Sequence, residues 1–366
     1  CNSSDALFKS LKGTKTVVFA HVGGRYADIQ SHEGNLERSV EIHSAWGTFE
    51  WLLQDALRNG YRVGIVSNSD GHKGRPGASY PGASMFGAYG GLTCMLARKL
   101  TREMIWESLL RRHHYGTTGN RMFMDVRVQL DKPGRSFIED PQLGETDAEN
   151  TQVGIMGDIL QTEESEVQLQ IDIIASAPIE KLEIRNGLKV IETVRPYKKT
   201  EIGNRIRVIW AGAEYRGRGR ETVWDGCATL TGNTIETFTP INMYNLEKTV
   251  TQLDSRHLEW KAVTTGGFGG FDCGLTDHQE GSLAIETSQV NCVVPVADIG
   301  FQDFRIDAGG LERHLRLVRL PDTNPHHKLS LERTIPLNSS GDNPLYVCVS
   351  QEDGHQAWSS PIYLFN

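Results

Sequence analysis

The stretch VGIVSNSDGHKGRPG, residues 63–77, decides how this chain is read. Val63, Ile65 and Val66 form a short apolar run between Gly60 and the polar SNSDGH, the form of a strand buried on both faces. The run ends in Asp70 and His72, two metal-capable side chains one residue apart. A carboxylate oxygen and an imidazole nitrogen at such a strand end point out of the sheet into one crevice, and they suit Zn, Mn or Fe. SDG is also good turn chemistry, so the same residues read equally as a solvated turn.

Upstream, TVVFAH (16–21) is a second β-branched run and ends in His21, with two glycines close behind. SVEIH (39–43) is a third and ends in His43, with Glu41 two positions earlier. A helix follows, with Thr48 as its N-cap, Glu50 in the first turn, an apolar stripe of Phe49, Leu52, Leu53, Ala56 and Leu57, and Gly60 as its stop. Strand, strand, helix, strand implies parallel strands joined by right-handed crossovers. Ligands bind beyond the carboxyl ends of such strands, which puts His21, His43 and the Asp70/His72 pair on one rim.

Downstream, residues 74–91 are a long Gly/Pro/Ser loop, the composition of a functional cover. Its Arg75 suits a phosphate or carboxylate, and also suits an ordinary surface position. GLTCMLA (91–97) reads as a strand, and Thr101 caps a helix with Ile105, Trp106, Leu109 and Leu110 on its inner face. Of the vicinal pair His113 and His114, at most one can reach a site. Arg121 follows a TTG turn and is a second candidate for aiming inward.

From Met122 onward, period-2 strands replace the alternation of strand and helix. The organisation expected is therefore an α/β part over 1–121 and an antiparallel β-rich, sandwich-like part over 122–366, with a loop-rich connection at 131–157. Asn186-Gly187 between two strand-like runs marks a hairpin. Asp353 and His355 repeat the D-x-H spacing, here read as a turn between edge strands with Trp358 packed beside it.

Composition removes some functions. Lys and Arg total 38 against 46 Asp and Glu, a net charge of −8, which argues against a phosphate-backbone binder and hence against nucleic acid. There is no apolar run of about 18 residues, so no membrane span is expected. The six cysteines are scattered without a C-x-x-C, so neither a zinc ribbon nor a dense disulfide framework is expected. The first residue is Cys1, which points to a processed form or a fragment; CNSS resembles a lipidated start, and the strand soon after favours an internal one.

VSNSDGHKGRPG, GGLT and LTREMIWESLLRRHHYGTTGNRM resemble the end of a PHP (polymerase and histidinol phosphatase) domain. With TVWDGCATL, AVTTGGFGG and YVCVSQEDGHQAWSSPIY, nearly the whole chain is similar to the branch called domain of unknown function 3604. The resemblance implies that residues 1–121 are the C-terminal part of a distorted (β/α)7 barrel. It also implies divalent metal ions (Zn, Mn or Fe) and hydrolysis of a small-molecule phosphate ester. By motif, Asp70 and His72 match the final D-x-H ligand pair, and His21 matches the strand-end histidine before it. Glu41 and His43 would support the ligands or touch substrate, and Arg75 or Arg121 would neutralise the non-bridging oxygens.

The family's opening H-x-H has no counterpart in the chain. The expectation is the distal part of a longer protein, with the first barrel strands supplied from upstream or by an oligomeric partner. A reading of another class is a non-catalytic carbohydrate- or protein-binding β module attached to a degenerate PHP remnant.

Overall fold

The computed structural model describes residues 1, 3–22, 27–71, 88–217 and 220–366. The chain begins with helix α1 (Ser4–Leu11), whose first turn is capped by Ser3 Oγ accepting from the Ala6 N–H at 3.2 Å. Strands β1 (Val18–Ala20) and β2 (Glu37–Ser44) come next and pair in parallel, Phe19 opposite Ser39. A two-residue strand β3 (Gly47–Thr48) folds back on β2, helix α2 (Glu50–Arg58) crosses over, and β4 (Gly64–Ser67) pairs in parallel with β2, Val40 opposite Ile65. The expected parallel unit is present.

Every residue of β2 is buried, although only two of its eight side chains are aliphatic. Val40 and Ile42 face Leu52, Leu53 and Ala56 of α2, whose apolar positions recur at helical spacing. Tyr346, Cys348 and Trp358, from near the far end of the chain, complete that core. The other face of β2 carries Ser39, Glu41 and His43. They can be buried because each has a polar partner. The cap of α2 differs from expectation: the N-cap is Phe49, and Thr48 Oγ1 is engaged with His43 Nδ1 at 2.8 Å.

The barrel expectation fails. Strand makes up 49% of the chain and helix 9%, and the described residues form three α-helices and no closed barrel. After β4 the parallel order stops. Strands β5 (Leu92–Met95) and β6 (His114–Thr117) pair antiparallel with each other, on either side of α3 (Arg102–Leu110). They then join a twelve-stranded sheet through Gln356–Ser359. An antiparallel turn-back cannot continue a parallel barrel wall. α3 itself is capped by Thr101 as expected. Its expected inner face, Ile105, Trp106, Leu109 and Leu110, is only partly buried; Ser108 is the residue it buries, with Oγ donating to the His113 carbonyl at 2.6 Å.

The rest is β. Strands Phe123–Phe137, Glu166–Ile174, Lys328–Pro336, Asn343–Gln351 and Ile362–Phe365 build most of the twelve-stranded sheet, with alternating Met124, Val126, Val128, Leu169 and Ile171 on its core face. Between residues 205 and 320, two five-stranded sheets face each other over Val208, Trp210, Leu230, Trp260 and Ile285, with the Trp210 and Trp260 rings stacked at 5.0 Å. That is sandwich packing, with inward positions alternating along each strand. The expected hairpin joins Ile179–Asn186 to Lys189–Val194, but Asn186 pairs with Lys189, so the two loop residues are Gly187 and Leu188. Gly187 has φ +58°, the reason a glycine stands there.

Candidate functional site

The site is built from two strand ends and the face of the strand between them. β1 stops at Ala20, and His21 stands immediately beyond it. Glu41 points from the polar face of β2, and Asn68 and Asp70 come just after β4. Because β1, β2 and β4 are parallel neighbours, these side chains share one rim.

The imidazole of His21 sits between two carboxylates. Its Nδ1 lies 2.6 Å from Glu41 Oε1, and its Nε2 lies 3.6 Å from Asp70 Oδ2. The other oxygen of Glu41 accepts from Asn68 Nδ2 at 2.5 Å, so both oxygens of a carboxylate only 2% exposed are engaged. The Nδ1–H is thereby held toward Glu41, and Nε2 is left on the side of Asp70. Asp70 itself has φ +43°, a conformation aspartate tolerates better than most residues, and this sets its carboxylate over the rim.

Two donors about 2.0–2.2 Å from a shared ion sit roughly 3–4 Å apart, and the separation of His21 Nε2 and Asp70 Oδ2 is 3.6 Å. A histidine that gives its second nitrogen to a buried carboxylate is the usual support of a metal ligand. Glu41 binds the opposite edge of the ring and so orients His21 rather than converging with it. Among the described residues, no group of three or more His, Cys, Asp or Glu is placed to hold a metal ion. The donor pair fits part of a ligand set. His72 and Arg75 lie outside the described residues.

His43 has both ring nitrogens engaged by neighbouring groups of the chain. Its Nε2 donates to the Tyr89 carbonyl at 2.6 Å, and its Nδ1 accepts from Thr48 Oγ1. Burial lowers its pKa to about 4 despite the opposing bond to Tyr89, so the ring is neutral at pH 7 with both nitrogens occupied. Arg121 is exposed. Of the vicinal pair, His113 Nε2 meets Asp158 at 2.7 Å, while His114 is buried with Nδ1 donating to the Ile65 carbonyl and Nε2 accepting from Ser39 Oγ.

Sequence reasoning missed two residues. Asn68 carries no motif of its own, and only its place one residue past a strand end marks it. His355 does lie on the expected turn, where its N–H donates to Asp353 Oδ1 at 3.0 Å. It also packs edge-on against Tyr89, bonds Thr118 Oγ1 at 2.9 Å, and lines with His43 a cavity of about 50 Å³. No local signal links positions so far apart in the chain.

No curated protein and no solved structure matches the chain. Residues 80–185, which begin downstream of Asp70 and run through β5, α3 and β6 into the strand Ile179–Asn186, match the family described as "Protein of unknown function (DUF3604)".

Proposed function

We propose that the His21–Glu41–Asp70 constellation belongs to a metal-dependent hydrolase site acting on phosphate esters, akin to the PHP phosphoesterases that the motifs resemble. One observation carries the reading: a rim histidine is gripped on one edge by a buried carboxylate and turned by its other edge to Asp70 at 3.6 Å. When bound, a divalent ion (Zn, Mn or Fe) would supply Lewis acidity toward water and positive charge toward the phosphoryl oxygens.

The chain's own groups have separate tasks. His21 Nε2 and Asp70 Oδ2 are the atoms that would hold the ion. Glu41 holds the Nδ1 proton and fixes the tautomer, and the Asn68 amide keeps Glu41 from rotating. His43, with both nitrogens occupied, buttresses the rim and moves no proton.

The test is elemental analysis of the purified chain after dialysis against Zn or Mn. Bound metal is expected in the parent, lost in His21→Ala and Asp70→Asn, and held about 10–100-fold more weakly in Glu41→Gln. A parent chain without metal, or metal unchanged in both ligand variants, would overturn the metal assignment. Metal without turnover of an aryl phosphate at any pH would overturn the hydrolase part alone.

A further inference from the structure

A cleft of about 580 Å³ opens where α2 meets the hairpin 179–194 and the strands Arg205–Ala213, Leu311–Leu320 and Asn343–Gln351. Its size and its place at a junction of sheets are those of a small-ligand site. It shares no residue with the His21 constellation, so a ligand bound in it neither needs nor supports the metal reading.

One wall is made of closed ion pairs. Arg185 Nη1 lies 2.7 Å from Glu50, and its Nη2 bonds Glu183. Lys181 Nζ lies 2.8 Å from Glu183 and 3.4 Å from Asp303. Arg316 Nη1 lies 3.1 Å from Asp303, and at the mouth Arg305 pairs with Glu312 at 2.7 Å. His314 adds no charge at neutral pH, because burial, helped by Arg305, lowers its pKa to about 4. Beside that wall the same hairpin carries Leu188 and Val190, open to solvent, Val190 being the cross-strand neighbour of Arg185, and Ile209 and Leu311 also line the cleft.

These features select the ligand by elimination. On that wall a phosphate or other dianion would have to pull an arginine from its carboxylate; at the end of α2 the half-exposed Arg58 and Arg216 share the one carboxylate of Asp55, and the anion arms of the titration address them. A cation would have to do the reverse, and either exchange leaves a charge uncompensated. A purely apolar ligand would strip water from the charged wall without replacing its hydrogen bonds. What suits fixed donor and acceptor pairs side by side with aliphatic carbons is an uncharged ring with hydroxyls on its edge and C–H groups on its face. Side chains locked by their own ion pairs lose little freedom on meeting such a ligand.

We propose that this cleft binds a neutral carbohydrate, its hydroxyls on the Glu50–Arg185–Glu183–Lys181–Asp303 wall and its ring face on Leu188 and Val190.

The test is titration calorimetry of the full chain with cellotetraose, maltotetraose, xylotetraose and mannotetraose, and in parallel with inorganic phosphate and an oligogalacturonate. Saturable binding of at least one neutral tetrasaccharide is expected. It should weaken at least tenfold in Val190→Trp, which fills the cleft from an exposed strand position, and in Leu188→Trp at the hairpin tip. Three results would each overturn the proposal: no binding of any neutral sugar, binding of the anions alone, or sugar binding unchanged in both tryptophan variants.

Discussion

Glu180 is one carboxylate answering to two sheets. It lies in the strand Ile179–Asn186 of the twelve-stranded sheet and is 1% exposed. Its Oε2 accepts from Arg207 at 2.5 Å and its Oε1 from Arg316 at 2.6 Å, both arginines of the neighbouring five-stranded sheet, with Arg195 at 3.5 Å. Burial opposes the charge on Glu180, yet Arg316 and Arg207 outweigh it and hold the carboxyl well below its ordinary 4.5. The stability this contributes is present above the unfolded value and is lost as the pH falls below 4.5 toward the depressed folded value. Glu180→Gln should cost about 3–5 kcal/mol at pH 7 by leaving buried guanidinium groups under-compensated. Urea unfolding at pH 7 and pH 3.5 checks this, and the loss should be smaller at the lower pH. None of it was legible in the sequence, because IEKLEIRN reads as an ordinary alternating strand. The partners of Glu180 come from strands that no local pattern connects to it. His21 and Asp70 were legible for the opposite reason: strand ends can be read locally, and parallel order brings them together.

Elements were read well where periodicity decided them and poorly where contact did. The runs at 16–21, 39–43 and 63–67 each carry a strand, β1 being only Val18–Ala20, and α2 ends where its glycine stop predicts. The closeness of β4 to β6 has no such signal. It rests on two glycines: a Cβ on Gly64 would lie 2.8 Å from Arg112 Cβ, and one on Gly116 would overlap Ser67 Oγ. Ser67 Oγ is itself buried without a hydrogen-bond partner among the described residues. Gly116→Ala should therefore destabilise by about 1–3 kcal/mol through overpacking. Adding Ser67→Ala should recover part of that loss, a positive coupling that a double-mutant cycle in urea measures. Equal losses in the single and double variants would mean that the serine is not what the new methyl meets. Likewise, α3 has its expected cap but ends at Leu110, before the expected Arg111 and Arg112, and its apolar side is only partly covered, since coverage depends on what lies opposite.

At the scale of the whole molecule, the sequence revealed strand-rich texture but not closure. The barrel expectation failed because β5 and β6 turn back on each other and are joined by Gln356–Ser359, a pairing across most of the chain. The same assembly buries His114 beneath β4 and Ser360, where burial lowers its pKa to about 4; His43 is lowered as far. Between pH 6.5 and about 4 the unfolded chain takes up protons that the folded one refuses. Stability from each histidine is thus complete above pH 6.5 and declines as the pH drops toward 4. Each should contribute on the order of 3 kcal/mol to that decline. His114→Gln should flatten the pH dependence in this window, well separated from the more acidic range of Glu180. Unfolding curves at pH 7, 5.5 and 4.5 would show it, and an unchanged slope would mean that His114 is protonated in the folded state.

The packing of Tyr346, Cys348 and Trp358 against Val40, Ile42 and Ile65 has a temporal side. A ribosome releases the α/β segment long before it makes the three side chains that finish its interior. During that interval α2 and β2 have an apolar surface and nothing to put against it. Whatever keeps the nascent chain from clumping must act until residue 358 has emerged, and a stop codon placed anywhere before then should yield inclusion bodies rather than a smaller working protein.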